Sequence, residues 1–333
     1  MPHDRFRPPD HPHASFLLAT VVGSFPQPAW LDRVRELAAD DDEVDLEEAE
    51  DDACKASIGD QQRAGLDVVT DGEQRRTDMV GHFAPFIHGY DRDGGTGWNA
   101  RMPTVTDTVS SDAPWLVDDQ RFAQAVADRP VKTTVTGPFT LASFGSLEAY
   151  DDVEALAYDF ADLVAAEAGR LADAGADWIQ IDEPALGMSP HGTIAQECLA
   201  RIDAAVPETV RLGVHICSGN YQHLVPDLFE FPVDEVDLEF ASDDADEPAD
   251  VFGGRDLDLD VGFGVVDTQA KRVDPVGEIR ARVETALEHV PAERLTLTPD
   301  CGMKPLPRKA AYEKVGNLAT AVREVEAALD AED

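Results

Sequence analysis

Basic residues are scarce in this chain. Its 333 residues carry 27 Lys and Arg against 67 Asp and Glu, a formal net charge of −40. Binding a polyanion needs a basic face, so no nucleic-acid partner is expected of such a chain. Cysteine is also scarce: Cys54, Cys198, Cys217 and Cys301 are the whole complement. In a chain this long they read as thiols or metal ligands rather than a disulfide framework. No apolar run is long enough to span a bilayer, so no membrane segment is expected. The opening "MPHDRFRPPDHPHA" lacks the apolar core of a secretion signal. Residues 1–15 are expected to be a disordered or extended tail, its histidines incidental, on a cytoplasmic protein. No G-x-G-x-x-G follows the first apolar run, which weakens a dinucleotide-binding sheet. No long linker and no internal repeat divides the remainder, so residues 16–333 are expected to form one domain.

What is abundant is acid, spread in short runs such as "DDDEVDLEEAEDD" and "SDDADEPAD". A hydrophobic content of 43% is too high for a disordered polyanion and provides for a sizeable core. A carboxylate coat over such a core suits strong salt, where self-repulsion is screened. The composition therefore implies a halophile's cytosol and is silent on catalysis.

Eight β-rich runs alternate with helical stretches. They are Phe16–Val22, Leu66–Thr70, Val131–Thr136, Asp177–Ile181, Arg211–Ile216, Glu235–Phe240, Val261–Val266 and Arg294–Pro299. Asp151–Gly175, Asp274–His289 and Leu306–Leu329 have helical spacing, the first closing on "AGAD". This alternation predicts a parallel sheet, and eight strands predict a closed (β/α)8 barrel. An open doubly wound sheet is the competitor. Between the second and third strands, roughly Gly81–Pro130, lies an insertion that includes the loop-like "DRDGGTGWNARMPTV". It is expected to make an excursion over one end of the barrel.

Barrel enzymes carry their chemistry at the C-terminal ends of the strands. Read against that rule, the polar residues sort together. Gly23-Ser24, Asp71-Gly72-Glu73, Thr136-Gly137-Pro138 and Asp182-Glu183-Pro184 follow the first four strands. His215 and Cys217 end the fifth and Glu239 the sixth; Asp267 follows the seventh and Asp300-Cys301-Gly302 the eighth. His215 and Cys217, two apart, share one face of a strand. With Glu239 and Cys301 they make a set of two thiolates, an imidazole and a carboxylate suited to tetrahedral zinc, Zn2+. Each member has a structural alternative: a buried His, packed Cys residues, a rim carboxylate. Cys54 and Cys198 lie in helical stretches and read as packing residues.

Beyond these spacings the chain carries the stretches "VVGSFPQP", "DGEQRRTDMV", "TVTGPFTLASFG", "DWIQIDEPAL", "HIC", "LEF" and "LTPDCGMKPL". With these motifs, in the family's order across residues 17 to 325, it resembles the catalytic barrel of the cobalamin-independent methionine synthase family. The long enzymes of that family carry a second barrel that is absent here, so the chain resembles the short archaeal-type form. The resemblance implies zinc-activated methylation of the thiol of homocysteine, with His215, Cys217, Glu239 and Cys301 as ligands. It implies that Val22, Gly23, Ser24, Glu73 and Asp182 bind the amino-acid end of homocysteine. Their types fit: Ser24 and backbone N–H groups suit a carboxylate, and Glu73 and Asp182 suit an ammonium. The structural alternatives are a β-turn at Gly23-Ser24 and an ion pair of Glu73 with Arg75 or Arg76.

On the donor side the sequence departs from the family. Gln269, in "DTQA", stands where the family's proton-donating His would be, and glutamine supplies no proton. Met188, in "DEPALGM", stands where a folate-contacting Glu is expected. Phe144 is the candidate for the aromatic that stacks on a pterin. The methyl donor is thus either a methyltetrahydrofolate or methyltetrahydropterin, or a methylcorrinoid protein, whose Co(I) leaves without a proton. Two alternatives stay open: a related zinc barrel acting on another thiol such as coenzyme M, and a non-catalytic zinc-containing barrel subunit.

Overall fold

The computed structural model describes residues 5–8, 11–41, 43–91, 102–218, 220–225, 227–255 and 257–332. The chain opens with β1 (Leu18–Ala19), then α1 (Ala29–Ala38) and α2 (Leu46–Ala64). A hairpin follows, β2 (His88–Asp91) and β3 (Thr104–Ser110), then α3 (Val117–Val126). Next come β4 (Lys132–Thr136), α4 (Pro138–Ser143), β5 (Ser146–Leu147), α5 (Val153–Asp173), β6 (Trp178–Asp182) and α6 (Gly192–Asp203). The last part holds β7 (Arg211–Ile216), β8 (Glu235–Leu238), α7 (Pro248–Phe252), β9 (Asp260–Val266), α8 (Val276–His289), β10 (Leu295–Pro299) and α9 (Arg308–Glu332).

Seven strands pair in the order β1-β10-β9-β8-β7-β6-β4, every pair parallel. The stretch 66–70, expected as the second strand, runs between the two edges of this sheet. Asp67 N–H donates to Ala19 O at 3.0 Å, Val69 N–H to Pro130 O at 3.0 Å, and Lys132 N–H to Val69 O at 2.8 Å. Those bonds close the ring, and the fold is an α/β (β/α)8 barrel. Strands β6, β7, β9 and β10 are buried along their full length, as staves covered on both faces must be. Most of their apolar residues join the main core, whereas Trp178 of β6 packs with Phe6, Lys132 and Arg211.

The helices start and stop on local chemistry. Asp45 caps α2 by accepting Glu48 N–H at 2.9 Å, and Gly65 ends it at φ 98°. Asp152 caps α5 by accepting Ala155 N–H at 2.8 Å. The stripe Leu156, Phe160, Val164, Ala168 and Leu171 of α5 is buried at i, i+4 and i+3 spacing.

The insertion contributes two of the three strands of a separate small sheet. β2 pairs antiparallel with β3, and β5 adds parallel to β3. Tyr90 anchors it: its hydroxyl donates to Leu141 O at 3.1 Å in α4, and its ring lies 5.1 Å from Phe160 in α5. Residues 92–101, most of "DRDGGTGWNARMPTV", lie outside the described residues, as do residues 1–4, 9 and 10 of the expected tail. Phe6 of that tail is buried against Trp178, ring centroids 5.1 Å apart, at the N-terminal end of the barrel. Among the described residues no helix is long and apolar enough to cross a membrane.

Candidate active site

The C-terminal ends of the strands frame a cavity of about 370 Å³. Val22, Ser24, Glu73, Asp182, His215, Cys217 and Cys301 all line it. Seven residues from five segments of sequence thus converge at one mouth.

His215 points into the barrel from β7 and is buried. One ligand atom from each of His215, Cys217 and Cys301 lies within 4.8 Å of the others, a group that can hold a metal ion. The imidazole's Nδ1 is 3.1 Å from Asp237 Oδ2, and its Nε2 is buried with no hydrogen-bond partner. Burial alone would lower the His215 pKa; the bond to Asp237 and its charge outweigh that and raise it well above the ordinary value. The Cys301 thiol is held well above its usual range by its hydrogen bond with Cys217 and by burial. A cation entering this group would exchange with those protons. The donor set, two sulfurs and an imidazole with an orphaned nitrogen, fits zinc.

Glu239 is adjacent but outside that group of three. Its Oε2 accepts Ser218 N–H at 3.1 Å, its Oε1 accepts the Ser242 hydroxyl at 3.1 Å, and its own N–H donates to Tyr221 Oη at 2.8 Å. Ser218 adopts φ 97°, an unfavourable conformation for a residue with a Cβ, immediately after Cys217. Asp300 ties Glu239's segment to that of Cys301. Its Oδ1 accepts the N–H groups of Phe240 and Ala241 at 3.1 and 2.9 Å, and burial pushes its pKa up to about 7.

On the opposite wall Glu73 sits at φ 54°, in a turn where its N–H donates to Asp71 Oδ1 at 2.9 Å. Its carboxylate accepts the Thr134 hydroxyl at 3.1 Å and lies 3.7 Å from the Arg76 guanidinium. Asp182 ends β6 and accepts Gln180 Nε2–H at 2.7 Å. Burial, then the nearby Glu73 charge, push the Asp182 pKa up to about 6. The same Gln180 amide donates to Val22 O at 3.1 Å, joining the two sides of the pocket. Met303 N–H donates to Ser24 O at 2.8 Å, and a Cβ on Gly302 would strike Ser24 Oγ.

The donor-side candidates sit elsewhere. Gln269 is exposed, its N–H donating to Asp267 Oδ1 at 2.7 Å, and Met188 is 63% exposed. Phe144 is half-buried against the core at the end of α4, outside the residues lining the cavity. Cys54 and Cys198 are buried in α2 and α6, away from the mouth.

Arg76, Asp78 and Lys304 also line the cavity and were not singled out as site residues from sequence. Lys304 donates to Arg76 O at 2.5 Å, and burial lowers its pKa. It stood inside the quoted motif "DCGMKPL". Asp237 was missed as well. The signal was the period-2 acid of "EVDLE" in a strand, which places Glu235, Asp237 and Glu239 on one face.

The fold and the mouth define the class first: a (β/α)8 barrel enzyme whose catalytic end gathers thiols, an imidazole and paired carboxylates. The family described as "Cobalamin-independent synthase, Catalytic domain" matches residues 17–324. The methionine synthase of Sulfurisphaera tokodaii is 35% identical over 311 residues, covering 91% of this chain and 90% of that one. That of Saccharolobus solfataricus is 35% identical over 317 residues, covering 93% and 95%. The solved B12-independent methionine synthase of Shewanella sp. W3-18-1, in complex with selenomethionine, superimposes with TM-score 0.82 at 26% identity, covering 95% of this chain and 100% of that one. The chain belongs to the cobalamin-independent methionine synthase family, in its short archaeal-type form, and is a methyltransferase.

Proposed function

We propose that this enzyme methylates the thiol of homocysteine at a zinc site held by His215, Cys217 and Cys301, with Glu239 as the fourth ligand. The observation that carries the reading is the convergence of the His/Cys/Cys group with Glu73 and Asp182 in one cavity. When bound there, zinc supplies Lewis acidity that favours the deprotonated form of a thiol near neutral pH. Glu73 and Asp182 receive the substrate ammonium, and Ser24 with the backbone around Gly23 receives the carboxylate. A sulfonate such as that of coenzyme M would face the two carboxylates there, one of them already paired with Arg76, which disfavours that alternative. The Shewanella relative's complex with selenomethionine, the selenium counterpart of methionine, supports an amino-acid substrate for this mouth. A soluble cytoplasmic location and a single barrel unit over residues 16–333 belong to the same reading.

For the donor, the exposed Gln269 favours a methylcorrinoid protein over a methyltetrahydrofolate or methyltetrahydropterin. With that donor the homocysteine thiolate would form the new sulfur–carbon bond as the carbon–cobalt bond broke, the electron pair of the latter would stay on cobalt, and no proton would be needed at the leaving group. The test offers zinc-loaded enzyme and homocysteine the methylfolate, the methylpterin and methylcobalamin in parallel, in strong salt. Methionine is expected, fastest from methylcobalamin, and coenzyme M is expected to stay unmethylated. No methionine from any donor would favour a non-catalytic subunit.

A further inference from the structure

The barrel interior beneath the cavity is built in layers, and the upper layer has a feature that the lower one explains. In the lower layer Arg211 of β7 donates to Glu235 of β8 at 2.7 Å, and the Thr296 hydroxyl of β10 donates to the same Glu235 oxygen at 2.6 Å. Two residues higher on β8 and β10, and four higher on β7, the pattern repeats with Asp237, Thr298 and His215. His215 and Asp237 are register partners on β7 and β8. Asp237 Oδ2 meets His215 Nδ1 at 3.1 Å, and Asp237 Oδ1 accepts the Thr298 hydroxyl at 2.8 Å.

The bond from Asp237 to Thr298 passes over β9, and it passes because β9 has Gly262 at that register position. A Cβ on Gly262 would lie 2.7 Å from the Asp237 Cβ and would collide with its Oδ1. Asp237 is 1% exposed and has both oxygens engaged, so its side chain is locked. In the lower layer the two terminal nitrogens of the Arg211 guanidinium are taken up by Asp260 and Glu235, and a guanidinium, which only donates, has no lone pair for a metal. The upper layer replaces the guanidinium by an imidazole, which has a second nitrogen, and that nitrogen is left without a partner beside two thiols.

We infer that Asp237, held by Thr298 over the gap at Gly262, is a positioning residue that keeps the His215 proton on Nδ1 and presents the Nε2 lone pair to the metal. An ionised carboxylate can only accept, so the ring nitrogen facing it bears the hydrogen. The neutral imidazole then has its lone pair on the other nitrogen. The inference rests on the zinc reading above and assigns its orientation to a residue that touches neither metal nor substrate.

The test compares wild type with Asp237→Ala, Asp237→Asn, Thr298→Val and Cys301→Ser, each in strong salt. Zinc affinity is measured by competition with a chelator, and the cobalt(II)-substituted visible spectrum is recorded. Asp237→Ala should weaken zinc about 10- to 100-fold and alter the cobalt spectrum. Asp237→Asn retains an oxygen acceptor for Nδ1–H and should recover most of the loss; Thr298→Val should fall between. A folded Asp237→Ala protein with wild-type affinity and spectrum, while Cys301→Ser loses metal, overturns the role of Asp237 and leaves the metal centre standing. Unchanged affinity in Cys301→Ser overturns the metal-centre reading and this inference with it. Should Asp237→Ala not fold, long-range 15N–1H spectra of the zinc-loaded wild type decide. A proton on Nδ1 of His215 and metal on Nε2 is expected; the reverse overturns the inference.

Discussion

A Cβ on residue 23 would lie 2.6 Å from Glu73 Oε1 and 2.9 Å from the Thr134 methyl group. Gly23 is therefore the space in which the Glu73 carboxylate sits, rather than a flexible hinge. Gly23→Ala should displace that carboxylate and weaken homocysteine binding roughly 10-fold, with metal content unchanged, by calorimetric titration. Binding as tight as wild type would mean that Glu73 plays no part. Asp182→Asn keeps the shape and removes the charge. Losing one charge-assisted contact of about 1.5–3 kcal/mol, it should bind homocysteine roughly 10- to 100-fold more weakly. Loss of zinc in that variant would show Asp182 to be structural or a ligand. At this scale the sequence was legible where residue types were unusual. The thiols, the imidazole and the paired acids at strand ends stood out, whereas Gly262 and Asp237 did not. Their meaning depends on which residue of a neighbouring strand they face, and one strand does not state that.

Short α4 shows the same dependence among elements. Its first turn is held by Glu183, which follows β6 and accepts the N–H groups of Phe139 and Thr140 at 2.9 and 2.8 Å and the Thr140 hydroxyl at 2.7 Å. A Cβ on Gly137 would strike that carboxyl group. Burial is the largest influence on Glu183 and carries its pKa from the ordinary 4.5 up to about 7. A carboxyl group whose pKa is raised on folding binds its proton more tightly in the native state. Its contribution is thus fully present below about pH 4.5 and is lost as pH rises through about 7. Glu183→Gln should flatten that part of the stability–pH curve in denaturant titrations; an unaltered slope would remove Glu183 as its source. The seven strands of the sheet, β1, β4 and β6 to β10, all fall on β-rich runs of the sequence, and Arg211–Ile216 matches β7 in full. The stave at 66–70 was readable too, although only Val69 forms a ladder bridge, to Val131. The β2-β3-β5 sheet was not, because its third strand comes from beyond β4 and has only two residues.

Over the whole molecule the −40 charge is the property that most separates this chain from a generic barrel. The basic residues are largely committed. Arg211 bonds to Glu235 and Asp260 inside the barrel, Lys314 to Asp274, and Arg323 to Asp67 and Glu326. The surface acid consequently repels itself, and salt should relieve it. The Debye length is about 10 Å at 0.1 M and about 3 Å at 1 M, so the melting temperature should climb steeply across that range and beyond. A melting temperature independent of salt would contradict the halophilic reading of the composition.

The central claim is that two sulfurs and an imidazole from the ends of β7 and β10 hold one cation beside an amino-acid thiol pocket. X-ray absorption at the zinc edge tests it most directly, on enzyme in strong salt with and without homocysteine. The expected spectrum has two sulfur neighbours, from Cys217 and Cys301, and gains another when homocysteine is added. A protein that takes up no zinc, or whose zinc neighbours do not change with homocysteine, would contradict the account.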